Sequence, residues 1–195
     1  MIARARLIGV VALLIAGATG LISSTQTWLL VSLTDGAAEP LAVAGASAVV
    51  LLAPLSLTAL ALGAALSIVG RILRPVFGVI GAVLGIALAV LTAPIAFDVP
   101  VSAVASEVAA VTGIRGDSAI AELVAGITAT PWPAVTFVAA VLMAAAGIWV
   151  LATARLWPEG GKRYQSERVG RRRSGEPLDA IDSWDDLSRG GDPTT

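Results

Sequence analysis

Leu178, Ile181, Trp184 and Leu187 stand among Asp179, Asp182, Asp185 and Asp186 near the end of the chain. One indole and three aliphatic side chains in an acidic stretch are the residues best suited to a specific contact. Pro177 can open a helix there and Gly190-Gly191 can close it, with Arg189 in the last turn where a cation suits the helix dipole. The pattern predicts a short helix over 177–189 that forms on docking to a soluble protein, the four apolar residues making the contact. Spacing of three drifts around a helix, so the face is broad. A disordered acidic tail is the competing reading.

Just upstream the charge reverses. From Arg155 to Arg173 there are seven bases against two acids; from Ser174 to Thr195 there is one base against six acids. Arg168, Arg171, Arg172 and Arg173 form a basic patch that suits an anionic inner leaflet, at about 1 kcal/mol per residue. The same patch also serves as a plain topology determinant, with no partner required.

Other chemistry is scarce. The chain has no Cys and no His. Disulfides, thiolate and imidazole metal ligands and the usual neutral-pH proton carrier are therefore excluded. There is no phosphate-binding glycine loop, no metal-ligand cluster and no G-x-S-x-G elbow. No catalytic, cofactor-binding or metal site is expected, the protein reads as a non-enzyme, and nothing points to nucleic acid as a partner.

The elements that hold these residues are apolar. Hydrophobic residues make up 56% of the 195 residues and charged residues 14%, about half the usual charged share. Leu7–Ser23, Ser47–Val69, Val76–Phe97 and Ala134–Ala154 carry no Asp, Glu, Lys or Arg, and each approaches the length that crosses ~30 Å of hydrocarbon. Twelve of the 13 bases lie on one side of these segments; the exception is Arg115. The positive-inside rule then predicts an all-α membrane protein with four transmembrane helices and both termini cytoplasmic, in the plasma membrane. The first segment reads as an uncleaved signal anchor, since its apolar run is too long for a signal-peptide core. The expected organisation is a membrane domain over 1–157 and a mostly disordered cytoplasmic tail over 158–195.

Trp28, Trp132 and Trp157 fall near the ends of spans, where an amphipathic ring suits the membrane interface, so they are expected to be anchors. Trp28–Leu33 could form a strand, turn at Asp35-Gly36 and pair with Leu41–Val43. In the loop 98–133, Val101, Val104, Val108 and Val111 make one apolar stripe, and Ile120, Leu123, Val124 and Ile127 another. These predict two short amphipathic helices capped by Ser102 and Asp117. The six residues Gly70–Pro75 predict that spans two and three form an antiparallel helix hairpin, with Pro75 at a first helical position. Pro54 and Pro94 are expected to kink spans or lie near interfaces. Gly78, Gly81 and Gly85 predict close helix packing within the bundle. Span hydroxyls such as Thr19, Ser56, Thr58, Ser67, Thr92 and Thr136 can mostly satisfy backbone carbonyls locally.

The tail Asp182-Ser183-Trp184-Asp185-Asp186-Leu187-Ser188-Arg189-Gly190-Gly191-Asp192-Pro193-Thr194 resembles the terminal signature of tryptophan-biosynthesis-associated transmembrane proteins of high-GC Gram-positive bacteria. Trp28 after the first span, Ala44-Gly45-Ala46-Ser47-Ala48 before the second, Pro131-Trp132-Pro133 before the fourth and Trp157-Pro158 after it agree with that pattern. Gly191 departs from it, standing where the family tends to carry a second acid, and Gln26-Thr27 precede Trp28 where a polar or basic residue is frequent. The resemblance implies four spans and a genomic setting among tryptophan-synthesis genes. It brings no catalytic residues and no established activity. The leading expectation is a membrane anchor that recruits a cytoplasmic protein through its tail. The alternative is a small transporter, or transporter accessory, for tryptophan, indole or a related apolar metabolite, acting as a homo-oligomer because four helices make a small solute pathway.

Overall fold

The computed structural model describes residues 2–34, 39–70 and 72–154. The chain runs α1 (Ile2–Thr25), β1 (Thr27–Leu33), β2 (Leu41–Ala44), α2 (Gly45–Ala48), α3 (Leu52–Ile68), α4 (Arg74–Phe97), a 3-10 turn (Val101–Ala103), α5 (Ala105–Thr112), α6 (Asp117–Leu123), β3 (Val124–Ala129) and α7 (Trp132–Thr153). Among the described residues three helices are long and apolar enough to cross a membrane: Arg6–Thr25 within α1, Arg74–Phe97 and Trp132–Thr153. α3 is apolar but has only 17 residues. At ~1.5 Å per residue that is about 25 Å, short of a ~30 Å core.

That shortening corrects the span expected over 47–69. Gly45–Ala48 forms a separate turn of helix, Val49 is extended, and α3 starts only at Leu52. The chain is turned there by the strand before it, since the N–H of Gly45 donates to the carbonyl of Gln26. Pro54 falls in the first turn of α3, where a missing N–H costs nothing. Pro94 lies inside α4 without ending it, and the helix continues to Phe97. Pro75 occupies the first turn of α4.

The helices pair unequally. α4 packs along α7, and α1 lies between α3 and α7; α3 and α4, though joined by a short loop, touch only sparsely. The expected hairpin of spans two and three is therefore not a packed pair. Glycine placement gives the reason. A Cβ on Gly85 would fall 2.2 Å from the backbone N of Ala144, and one on Gly147 2.2 Å from that of Ala82. Only glycine allows that backbone approach, and it lies on the α4–α7 seam. Gly17 meets Ser56 and Leu60 of α3, and Gly63 meets Leu14, so α3 is fitted to α1.

β1 is the centre of a three-stranded antiparallel sheet, order β2-β1-β3. The β1–β2 pairing agrees with the sequence reading, and the turn expected at Asp35-Gly36 lies outside the described residues. β3 does not: Val124 and Ile127 were expected on a helix, but the helix stops at Leu123 and both residues pair with β1, opposite Leu33 and Val31. A Val-Ala-Gly-Ile-Thr-Ala run carries β-branched residues and a glycine, a poor helix and a serviceable edge strand. The first loop helix is also displaced. Val104 and Val108 are fully buried, but Val111 is 62% exposed, outside the expected apolar face. Neither expected residue stands at the cap position: Val104 precedes α5, and Gly116 precedes α6, which begins at Asp117. Gly113 ends α5 in the left-handed conformation, at φ 74°.

Candidate functional site

The hydroxyls buried among the helices gather near the end that carries the sheet. Ser23 and Ser24 of α1, Ser56 of α3, Thr92 of α4 and Thr136 of α7 are all buried. Ser23 meets Thr136 directly, their hydroxyl oxygens 2.6 Å apart. The register set by Gly85 against Ala144 and Gly147 against Ala82 brings Thr92 level with Thr136. Ser56 faces Gly20, one helical turn deeper than Ser23.

Trp28 is the centre of this layer. Its side chain is fully buried, which corrects its expected role as an interface anchor. The indole N–H donates to the Ser23 carbonyl at 3.0 Å and to Ser23 Oγ at 2.9 Å. Thr136 Oγ1 donates to the carbonyl of Trp132 at 2.9 Å, which leaves it to accept from the Ser23 hydroxyl. The result is a directed chain, Trp28 to Ser23 to Thr136 to the α7 backbone, that ties the sheet to two helices. Gly45 makes room for the ring, because a Cβ there would lie 2.6 Å from Trp28 Nε1 and 2.7 Å from the Ser23 carbonyl. Sequence reasoning missed both Ser23 and Gly45. Their only signals were a hydroxyl at a span end and a small-residue run before the next helix.

The remaining hydroxyls are mostly engaged locally. Thr19, Thr58 and Thr92 donate to the carbonyls of Ile15, Pro54 and Leu88, each at 2.8 Å, and Ser67 donates to Ala64 at 2.6 Å. Ser56 is the exception: its buried Oγ has no hydrogen-bond partner. A hydroxyl in an apolar interior without a partner costs on the order of 1–3 kcal/mol.

At the opposite end two arginines serve the C-terminus of α3. Arg6 donates to the carbonyl of Ser67, and Arg74 Nε donates to that of Val69 at 3.4 Å. Val69 is the C-cap of α3, where unpaired carbonyls and the negative end of the dipole favour a cation. Arg74 is buried nonetheless, at 4% exposure, so its stem packs while its head reaches backbone. These bases thus cap a helix.

Trp132 is half-buried at the start of α7. Trp157, Arg168, Arg171, Arg172, Arg173, Leu178, Ile181, Trp184 and Leu187 lie outside the described residues. Among the described residues no group of His, Cys, Asp or Glu could hold a metal ion. Asp98, Arg115 and Glu122 are exposed and Glu107 is half-buried, all in the segment between α4 and α7. What the layer can do chemically is hydrogen-bond; its hydroxyls and indole do not ionise near neutral pH.

A family model of tryptophan-associated transmembrane proteins matches residues 10–194. Nothing matches among curated proteins or among solved structures.

Proposed function

Because the chain belongs to the tryptophan-associated transmembrane protein family, we propose that it is a non-enzymatic anchor in the bilayer whose cytoplasmic tail recruits a soluble protein. The observation that carries this reading is the closure of the helical interior. Its indole and nearly all its hydroxyls bond to one another or to backbone, and glycine seams bring helix backbones into contact. Such an interior suits a scaffold. The side chains this reading assigns to recognition are Leu178, Ile181, Trp184 and Leu187, which follow the basic run at Arg168 and Arg171–Arg173 in sequence. In this reading α3 spans with α1, α4 and α7, the termini are cytoplasmic, the membrane is the plasma membrane, and the partner belongs to aromatic amino-acid synthesis.

Two experiments test it. Reporter fusions after Arg74 and Ser174 should read cytoplasm, and those after Gly36 and Gly116 the opposite side; an external signal at Ser174 overturns the four-span arrangement. Purification of the full chain and of Trp184→Ala from the same membranes should recover different soluble proteins. Identical recovery removes docking through Trp184.

A second reading, a small carrier or carrier accessory for tryptophan, indole or a similar apolar solute, draws on one observation, the unpartnered Ser56 hydroxyl. An apolar solute with one polar atom would need no intramembrane charge. Unchanged flux of labelled tryptophan in a deletion strain, together with loss of the recovered complex, favours the anchor.

A further inference from the structure

The connection from α3 to α4 is inside out for a turn in water. Its described apolar side chains stand outward: Ile68 is 88% exposed, Ile72 86%, and Leu73 is exposed as well. Its described arginine is turned in: Arg74 is buried, with Nε donating to the carbonyl of Val69. A second base comes from α1, where Arg6 donates to the carbonyl of Ser67. Burying a guanidinium while baring two isoleucines is unfavourable in water on both counts.

The end of α3 points to a different solvent. The last turn of a helix leaves carbonyls without intrahelical donors, and in water they are readily hydrated. Here side chains serve them, Arg6 at Ser67 and Arg74 at the C-cap Val69. Internal satisfaction of backbone groups is what hydrocarbon demands and water does not. The outward apolar surface is also continuous with one that meets lipid. Leu7 and Ile8 follow Arg6 on α1, Val76 and Val79 follow Arg74 on α4, and all four are exposed. They belong to helices long and apolar enough to cross a membrane. Ile72 and Leu73 directly precede Arg74, where the apolar stretch of α4 begins.

We propose that this turn is seated in the lipid leaflet on its own side of the bilayer. Ile68 and Ile72 lie among acyl chains, and Arg6 and Arg74 replace the water that would otherwise satisfy the end of α3. Lipid is the occupant because the same bilayer already meets Leu7, Ile8, Val76 and Val79 in one surface, so no further partner is needed to cover it. Arg71, also in the turn, lies outside the described residues. An arginine at that position is compatible with the proposal, since a long stem lets the charge reach the phosphates. Seating the turn in lipid also accounts for an α3 of only 17 residues, whose crossing the turn helps to complete. The inference rests on the helices crossing a bilayer and is independent of tail docking.

The chain has no Cys, so each introduced thiol is unique. Full-length Ile68→Cys, Ile72→Cys, Val83→Cys and Ser118→Cys chains each carry one nitroxide, in vesicles of phosphatidylethanolamine and phosphatidylglycerol. Oxygen concentrates among acyl chains and a nickel chelate stays in water, so the ratio of their collision rates reads the surroundings of each label. Ser118, exposed on α6, is the reference for water, and Val83, exposed in the middle of α4, the reference for lipid. The oxygen-to-nickel ratio at Ile68 and Ile72 should be several-fold above that at Ser118, as at Val83. Arg6→Ala should lower the ratio at Ile68 several-fold, because water must then enter to satisfy the Ser67 carbonyl. A ratio at Ile72 equal to that at Ser118, or no response to Arg6→Ala, would overturn the proposal. Protection of both turn labels from both reagents would also overturn it, by showing that the tail or another copy covers the turn. A Val83 label that behaves like Ser118 would instead overturn the crossing of the bilayer by α4.

Discussion

The hydroxyls of Ser23 and Thr136 lie 2.6 Å apart although 113 residues separate them in sequence. They join α1 to α7, and through Ser23 they join both to the indole of Trp28. Trp28→Ala should lower stability by about 3–5 kcal/mol, the range for deleting a large buried aromatic. Ser23→Ala should cost only about 1 kcal/mol, because the indole keeps the Ser23 carbonyl. A double-mutant cycle of Ser23→Ala with Thr136→Val should give a coupling near ~0.6 kcal/mol, typical of hydrogen bonds between membrane helices. Thermal unfolding in mild detergent measures all three. A coupling of zero would mean that the two hydroxyls do not hold the helices together.

The α4–α7 seam depends on glycine at two positions. Gly85→Ala and Gly147→Ala each place a Cβ 2.2 Å from a backbone nitrogen of the facing helix. Each should cost roughly 1–3 kcal/mol, as overpacking does. Gly70→Ala, with nothing within 4 Å, should change stability by no more than about 0.5 kcal/mol. Similar unfolding midpoints for all three would contradict the seam.

Ser56 predicts an unusual gain. Its hydroxyl is buried without a partner, so Ser56→Ala should leave stability unchanged or raise it by up to about 1–2 kcal/mol. It should also relieve Gly20→Ala, whose Cβ would otherwise lie 2.3 Å from Ser56 Oγ. The pair should therefore be less damaging together than the separate effects suggest. A large loss from Ser56→Ala alone would show that the hydroxyl has a partner in the membrane.

In the segment between α4 and α7, Val104 and Val108 are fully buried whereas Val111 is 62% exposed. Val104→Asp and Val108→Asp place a carboxylate in an apolar contact, at a cost of several kcal/mol. Both should loosen α5 and speed tryptic cleavage after exposed Arg115. Val111→Asp should not. Equal cleavage of all three variants and the parent would mean that α5 has no ordered apolar face.

Much of the helical part of this protein was legible in its sequence. An apolar run long enough to cross a membrane is a local sum over side chains, and α1, α4 and α7 follow the runs that composition marks. The β1–β2 pairing was legible for the same reason: two β-prone runs flank an Asp-Gly turn signal in the sequence. What failed depended on partners far along the chain. A Trp beside a span end is favoured at a membrane interface when its N–H must find an acceptor outside. Trp28 instead finds one in Ser23, under a gap that only Gly45 leaves, so it is buried. β3 could be read as a helical stripe because Ile120, Leu123, Val124 and Ile127 satisfy helical spacing. Pairing with β1, nearly a hundred residues earlier, decided otherwise. The short Gly70–Pro75 connection suggested that α3 and α4 pack together. Backbone proximity at Gly85 and Gly147 gave α4 to α7 instead, because close packing goes to the surfaces that fit and not to neighbours in sequence.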